Sequence, residues 1–309
     1  MKVNRRRFIV LLGGMFLTLT NRLFAHDWED ETPAVAAARA ALESAFAGRQ
    51  MALDFRRFNR SFDELFRIQI NALDLFPVAS CFKAWLALYY FVHVPPDEWD
   101  TGEYSPVYQM AVSSDNVNTG VVLDMVARRA RSRKNAIEIF NDFLTQTVGM
   151  ANGLHTWNWL DSPTVGLTDP RFAPSAVRSV RLGGQEYRVD NAFTAADLAR
   201  GYDFLLRGEY FTRSPELKAA IQAARALLSI PAHNYRSPIE RVYADGYTGK
   251  DGILPSADIS TGRVVNDAGL IRRGDYHYII AFMSAGESES TALSVLGQVI
   301  GQMQTFDES

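Results

Sequence analysis

The sequence predicts an α/β (α+β) fold in which helices flank one antiparallel sheet built from both ends of the chain. Apolar and polar residues alternate in two segments between 51 and 71, and again in two segments between 263 and 284. Segments with helical periodicity fill most of the chain between these strands. We therefore expect an all-α subdomain, about 91–234, inserted between two sheet portions, about 26–90 and 235–309.

The first sheet portion combines an early helix, two strands and a strongly apolar helix. These elements are expected, in order, at 33–50 (helix), 51–59 and 65–71 (strands), and 80–92 (helix). Pro77 lies just before the apolar helix, and Pro95 and Pro96 end it because proline cannot continue a helix.

The middle of the chain indicates four further helices. They are expected at 117–130, 136–147, 195–207 and 215–228. Thr194 is suited to cap the third, since its hydroxyl can accept from a free backbone N–H. Residues 151–185 are rich in Pro, Gly, Asp and Thr, which indicates a long ordered loop. A small hairpin of 178–182 and 186–189 is possible at its end.

The strand period returns in the last quarter of the chain. Strands are expected at 252–254, 263–272 and 276–284, followed by an amphipathic helix at 291–303. Gly274 and Asp275 form the turn between the last two strands, because glycine tolerates a positive φ.

The first 25 residues have the layout of an export signal. A basic segment, 1–7, precedes an apolar run of 13 residues, 8–20, which is too short to span a bilayer comfortably. Residues 5–9 (Arg-Arg-Arg-Phe-Ile) resemble the twin-arginine signal. Cleavage after Ala25 would leave a periplasmic or secreted protein with no stable membrane anchor. Leu23, three residues before the cut, is bulkier than the usual small residue, so an uncleaved signal that anchors the protein is an alternative. A buried N-terminal helix is a further alternative.

Composition argues against several partners and cofactors. The 309 residues carry a net charge of -3, which gives no electrostatic case for binding nucleic acid. Cys81 is the one cysteine, so no intrachain disulfide can form, and no Cys or His cluster has metal-ligand spacing. We therefore expect no metal, no cofactor and no nucleic-acid partner, and we also expect a monomer.

Ser80 and Lys83 form a Ser-x-x-Lys motif at the start of the apolar helix. Residues three apart lie on one helix face, so the hydroxyl and the amine can meet. A serine becomes nucleophilic when a base takes its proton, and a lysine can be that base if burial and a second cation lower its pKa. The pattern is common by chance, but a lysine in so apolar a helix favours a buried role over a solvated one.

A second polar motif, Ser114-Asp115-Asn116, lies just before the helix expected at 117–130. Three short polar residues at a helix entry are typical of a cap, and capping alone would explain them. Alternatively, Ser114 passes a proton to a leaving group, Asn116 offers its amide to a substrate acyl-amide, and Asp115 ties the loop to the helical subdomain.

The third motif is Lys250-Asp251-Gly252, followed by the apolar Ile253. A lysine at this sheet edge would supply the cation that lowers the pKa of Lys83. Gly252 would let a substrate lie close to the strand, and the N–H of Ile253 could form an oxyanion hole with that of the first motif's serine. A glycine-rich turn is the simpler alternative, because two more glycines lie just upstream.

The three motifs in this order resemble the signature of class A β-lactamases and penicillin-binding proteins. The segment 76–83 is close to the family's nucleophile segment, and the likeness spans essentially the whole mature chain. The resemblance implies a β-lactamase/transpeptidase-like fold and a serine hydrolase that forms an acyl-serine from an amide or ester, such as a β-lactam. A small-molecule or peptidoglycan-like substrate would follow. The resemblance assigns catalysis to Ser80, Lys83, Ser114 and Lys250, and substrate binding to Asn116, Gly252 and Ile253. Asp251 is counted among the substrate-binding residues by its place between Lys250 and Gly252.

Three departures from the family pattern shape the expected activity. The family has Thr or Ser where this chain has Asp251, which would repel a substrate carboxylate. An alternative alignment on 247–249 (Tyr-Thr-Gly) keeps the hydroxyl and loses the lysine. The loop 151–173 has no Glu to activate a deacylating water, and Asp161 and Asp169 are its only carboxylates. The short interval between the first two motifs indicates a trimmed helical subdomain.

Two other functions stay open at this point. The missing loop Glu favours a DD-peptidase-like or esterase-like enzyme that recognises penicillin and deacylates slowly. Asp251 favours a catalytically quiet homologue that binds a ligand.

Overall fold

The computed structural model describes residues 32–130, 134–156, 178–231, 237–243, 245–255 and 260–307. The expected export signal, together with Asp161 and Asp169 of the loop, lies outside these residues.

The described residues form α-helices, strands, two short 3-10 segments and one π-helical turn. The α-helices are α1 Pro33–Phe46, α2 Lys83–His93, α3 Pro106–Ala111, α4 Asn116–Ala130, α5 Ala136–Phe143, α6 Ala195–Phe211, α7 Pro215–Leu228, α8 Pro238–Val242 and α9 Glu289–Asp307. The strands are β1 Met51–Phe58, β2 Glu64–Ile70, β3 Phe76–Pro77, β4 Arg178–Leu182, β5 Gln185–Val189, β6 Ala192–Phe193, β7 Tyr247–Leu254, β8 Val264–Arg273 and β9 Tyr276–Ser284. The 3-10 segments are Ala79–Phe82 and Pro96–Glu98, and a π-helical turn spans Leu144–Val148.

One antiparallel sheet of five strands organises the molecule, in the order β2-β1-β9-β8-β7. The N-terminal strand β1 pairs directly with the C-terminal strand β9, where Leu53 lies opposite Phe282. The predicted antiparallel sheet, built from both chain ends and flanked by helices, is therefore confirmed. Because β7 is at the edge of the sheet, one side of its backbone is left for other parts of the molecule.

Both faces of the sheet are buried, and strand alternation separates them. In β9, Ile280 and Phe282 join an apolar cluster with α1 and α9. On the other face, Ala281 and Met283 join the larger cluster that contains α2 and α6. The sheet therefore lies between two helical layers, with its apolar residues distributed to both.

Helix α2 lies in the centre of the larger cluster and is buried on all sides. Every residue from Lys83 to Phe91 is buried, and Trp85 and Tyr89 are fully so. A helix that is apolar all round belongs in a protein interior. Its N-terminal residue, Lys83, is therefore a lysine placed in the core.

The observed elements differ from the predicted ones mainly at their ends. Helix α2 starts at Lys83 and not at residue 80, because a 3-10 segment precedes it. Helix α5 ends at Phe143 and continues as the π-helical turn to Val148. Part of the predicted loop forms the hairpin of β4 and β5, and Thr194 caps α6 as predicted.

Strand β7 starts five residues earlier than predicted. Its glycines weaken the strand signal in the sequence, but the fold requires one of them. A Cβ on Gly249 would lie 2.2 Å from the ring of Tyr247, which folds across the strand. In the described ranges, no helix is both long and apolar enough to cross a membrane.

Candidate active site

A cavity of about 480 Å³ lies between the start of α2, the connection from α3 to α4, and the outer edge of β7. It is partly open to solvent. All the residues to which the sequence assigned catalytic or binding roles line it: Ser80, Lys83, Ser114, Asn116, Lys250, Asp251, Gly252 and Ile253. The fold thus brings the three motifs to one place, although most of the chain separates the first from the third.

Ser80 lies in the 3-10 segment before α2, in a strained stretch of backbone. The preceding residue, Ala79, has a φ of +49°, a conformation that residues with a Cβ adopt uncommonly. Such strain persists where the surrounding structure holds it, and it is concentrated at functional sites. The sequence predicted that a regular α-helix starts at Ser80. This is wrong, because Ser80 lies in the 3-10 segment, which is wound more tightly than an α-helix.

Contacts from the sheet hold this turn in place. The Cys81 thiol donates a hydrogen bond to the carbonyl oxygen of Lys250 at 3.3 Å. The Asn266 side chain donates to the carbonyl of Pro77 at 2.7 Å and accepts from the N–H of Ser284 at 3.1 Å. Burial raises the pKa of Cys81 well above its usual value, so this thiol stays protonated and acts as a donor.

Gly252 lies against the nucleophile turn itself. A Cβ at this position would lie 2.8 Å from the backbone N of Ser80 and 2.9 Å from the Cβ of Ala79. The glycine is therefore required for the approach of β7 to the serine, and not only for a substrate, as the sequence suggested. Ile253 follows directly along the same edge strand and also lines the cavity.

Lys83 is 1% exposed, and its amine is turned toward the second motif. Nζ donates to the carbonyl oxygen of Ser114 at 2.6 Å, to its Oγ at 3.3 Å, and to Oδ1 of Asn116 at 2.7 Å. Among the described residues, no hydrogen bond joins this amine to Ser80. The contact expected between the two residues of the first motif is thus replaced by a contact between the first and second motifs.

Burial and a nearby cation lower the pKa of Lys83, although the three acceptors around its amine match the three N–H donors of the ammonium form. Burial lowers its pKa from 10.5 to about 7, and the nearby charge of Lys250 acts in the same direction. Asp115 and Asp251 raise it by smaller amounts. A substantial fraction of the amine is therefore unprotonated near neutral pH, as a general base requires.

The second motif caps a helix and also contacts Lys83. Oδ1 of Asp115 accepts from the N–H of Asn118 at 2.6 Å, which is the geometry of an N-cap on α4. Ser114 has a φ of +60°, and its carbonyl and hydroxyl oxygens both accept from Lys83. Because its Oδ1 accepts from Lys83, Asn116 keeps its amide N–H groups for other acceptors.

Lys250 and Asp251 form a buried ion pair at the edge of β7. Their side-chain atoms Nζ and Oδ1 are 2.8 Å apart, and the side chains are 4% and 11% exposed. The predicted cation is therefore present beside the cavity, but it already has a carboxylate partner.

The sequence did not point to Arg263, which also lines the cavity. One guanidinium nitrogen donates to Glu289, whereas the buried Nε has no hydrogen-bond partner among the described residues. Arg263 lies 13 residues after Lys250, just before β8. Arg263 reaches the cavity only because β8 pairs with β7. The one signal that the sequence offered was therefore an arginine just before the strand that follows the third motif.

Comparisons with known proteins support the fold. No protein-family model matches the chain, and a search of curated proteins found no match. Among solved structures, the β-lactamase from Sphaerobacter thermophilus DSM 20745 is 18% identical over 91% of this chain and 98% of its own, with a TM-score of 0.57. A class A β-lactamase from Bacteroides cellulosilyticus DSM 14838 is 13% identical over 89% and 100% of the two chains, with a TM-score of 0.57.

An ancestral (GNCA) class A β-lactamase is similarly related, with 16% identity over 85% of this chain, 99% of its own and a TM-score of 0.54. At these identities the likeness establishes the fold alone. The chain therefore has the β-lactamase-like fold, with its antiparallel sheet flanked by helices.

Proposed function

We propose that this protein is a β-lactamase-like serine hydrolase that forms an acyl-serine intermediate at Ser80 from an amide or an ester, such as a β-lactam. The observation that carries the proposal is the buried Lys83, which has a pKa of about 7 and lines the same cavity as Ser80. The β-lactamase-like fold agrees with this activity but does not by itself establish it.

The proposed acylation uses four of the cavity residues. When the neutral Lys83 amine turns from Ser114 to Ser80, it accepts the serine proton, and the serine oxygen forms a bond to the carbonyl carbon. The N–H groups of Ser80 and Ile253 stabilise the oxyanion. The bond to the leaving nitrogen or oxygen then breaks, and Ser114 passes the proton from Lys83 to that atom. Water later cleaves the acyl-serine bond and restores the hydroxyl.

A covalent probe tests this proposal. Purified protein should gain the mass of a fluorescent penicillin or of a fluorophosphonate serine probe, and peptide mapping should place the adduct on Ser80. S80A should show no adduct. S113A is a matched control, because Ser113 lines the same cavity and has no proposed role. If the folded wild type gave no adduct with either probe, the proposal would be overturned.

A second candidate is an enzyme of the same kind that deacylates slowly. Among the described residues that line the cavity, the one carboxylate is Asp251, and it is bonded to Lys250. A carboxylate engaged in this way is poorly placed to activate a water. The decay of the adduct after stoichiometric acylation, followed by intact mass, separates turnover in seconds from an adduct that lasts hours.

We also propose that the protein is exported and that residues 1–25 are removed. The twin-arginine pattern at 5–9 supports this route. The mass of the protein recovered from the periplasm or medium should correspond to a chain that starts at His26. Replacing Arg5 and Arg6 with Lys should retain the precursor inside the cell. Secretion of the unprocessed chain would contradict the cleavage.

A further inference from the structure

Two of the three cationic side chains that the described part of the cavity contains are paired with carboxylates of this chain. Lys250 is paired with Asp251 at 2.8 Å, and Arg263 is paired with Glu289. The Lys83 amine donates to the two oxygens of Ser114 and to the amide oxygen of Asn116. Among the described residues, an anionic substrate would therefore find Lys250 and Arg263 already paired with carboxylates, although the buried Nε of Arg263 has no hydrogen-bond partner.

We propose that the site selects acyl donors that carry no carboxylate beside the scissile carbonyl, and that Asp251 is the residue that imposes this selection. The substrate class is then an uncharged ester or amide. The inference rests on the proposed acyl-serine function and adds the substrate charge that the site accepts.

Burial makes the charge of Asp251 effective. The Lys250 and Asp251 side chains are 4% and 11% exposed, so water screens their charges weakly. A substrate carboxylate at this edge of β7 would either lie beside the Asp251 carboxylate or take Lys250 from it. The first leaves two like charges together, and the second leaves a buried carboxylate without its cation.

Glu289, the partner of the cavity residue Arg263, offers a comparison. It neutralises Arg263 in the same way, but its side chain is 47% exposed. Solvent screens this pair, and such pairs contribute little. Removing the charge of Asp251 should therefore change the substrate preference strongly, and removing that of Glu289 should change it weakly.

The experiment uses one matched pair of acyl donors, a penicillin with its free carboxylate and the methyl ester of the same penicillin. Second-order acylation rates are measured by intact mass for wild type, D251N and E289Q. The wild-type ratio, free acid over ester, should be at or below about one. D251N should raise it by about tenfold, and E289Q by less than about threefold. Any effect of D251N on the Lys83 pKa acts on both donors and cancels in the ratio.

The outcomes are distinguishable from those for the proposed function. A wild type that prefers the free acid by tenfold, or a folded D251N with the wild-type ratio, would overturn the charge selection and leave the acyl-serine function standing. If no donor acylates the folded wild type, the proposed function fails and this inference with it. The wild-type ratio can be measured without any variant. If D251N does not fold, D251T repeats the test of Asp251.

Discussion

Lys83 is the residue whose charge state should control acylation. Its pKa of about 7, lowered mainly by burial, means that the proton-accepting amine is depleted below this pH. The acylation rate at low probe concentration should therefore rise with pH up to about 7 and then level off. In K250M the inflection should move to higher pH, because a neighbouring positive charge is gone.

The measurement is the pseudo-first-order rate of probe labelling between about pH 5 and pH 9. K218M is the control, since Lys218 is an exposed residue of α7 and should leave the inflection in place. An inflection that K250M does not move would show that the amine of Lys250 has no electrostatic influence on Lys83.

Acylation should be sensitive to an added methyl group at Gly252. In G252A the new Cβ would press on the backbone N of Ser80, which is 2.8 Å away, and on Ala79. A displacement of about 1 Å at a reacting group can cost about 100-fold in rate, so acylation should fall by that order. In the control G297A the Cβ has nothing within 4 Å, and α9 should gain up to about 1 kcal/mol. Equal acylation rates in the two variants would contradict the close contact.

At the scale of the elements, Asn266 connects two strands to the segment before the nucleophile. Its fully buried side chain bonds the carbonyl of Pro77 and the N–H of Ser284. In N266A both backbone groups would remain buried without a partner, at about 1–3 kcal/mol each. Denaturant unfolding should therefore show a loss of about 3 kcal/mol, and a loss below about 1 kcal/mol would mean that water replaces the side chain.

Asp267 in β8 should make stability depend on pH. It accepts from Ser237, from the N–H of Ile239 and from the Tyr247 hydroxyl, yet burial dominates and raises its pKa from 3.8 to about 7. The folded state then holds a proton that the unfolded state has lost between about pH 4 and pH 7. The stability from this proton is complete below about pH 4 and is lost as the pH rises through 7.

The D267N variant tests this dependence, because an amide keeps the shape and does not ionise. The free energy of unfolding of the wild type should fall relative to D267N by about 4 kcal/mol between pH 4 and pH 8. Chemical denaturation at the two pH values measures the difference. Parallel pH curves for the two proteins would show that Asp267 is not a proton-binding group in the folded state.

For the whole molecule, local patterns predicted the elements better than the contacts between them. The sequence pattern predicted β9 to the residue, since an apolar segment with polar turns at its ends marks a buried strand. The pattern missed the first half of β7. Gly249 weakens the strand signal there, and only the structure shows that the ring of Tyr247 requires a glycine at this position. The motifs predicted which residues line the cavity, but not that Lys83 bonds Ser114 or that Lys250 is neutralised. Those contacts depend on backbone strain and side-chain packing, which periodicity does not contain.

The junction of the sheet with α6 is an interior made partly of charges. Arg56 of β1 donates to both oxygens of Asp54, at 2.6 and 2.8 Å, and its third nitrogen lies 3.9 Å from Asp203 of α6. Asp203 also pairs with Arg207. Because Arg56 and Asp54 are 3% and 0% exposed, each charge depends on its partners and not on water.

Removing Arg56 should therefore destabilise the whole fold. In R56M, Asp54 would stay buried with only the Gln69 amide as a described hydrogen-bond donor, which should cost about 3–5 kcal/mol in the free energy of unfolding. R60M is the control, because Arg60 and Asp275 form an ion pair whose side chains are 85% and 75% exposed. Its loss should stay within about 0.5 kcal/mol. If R56M unfolds at the wild-type denaturant concentration, the charges at this junction are not what joins the sheet to α6.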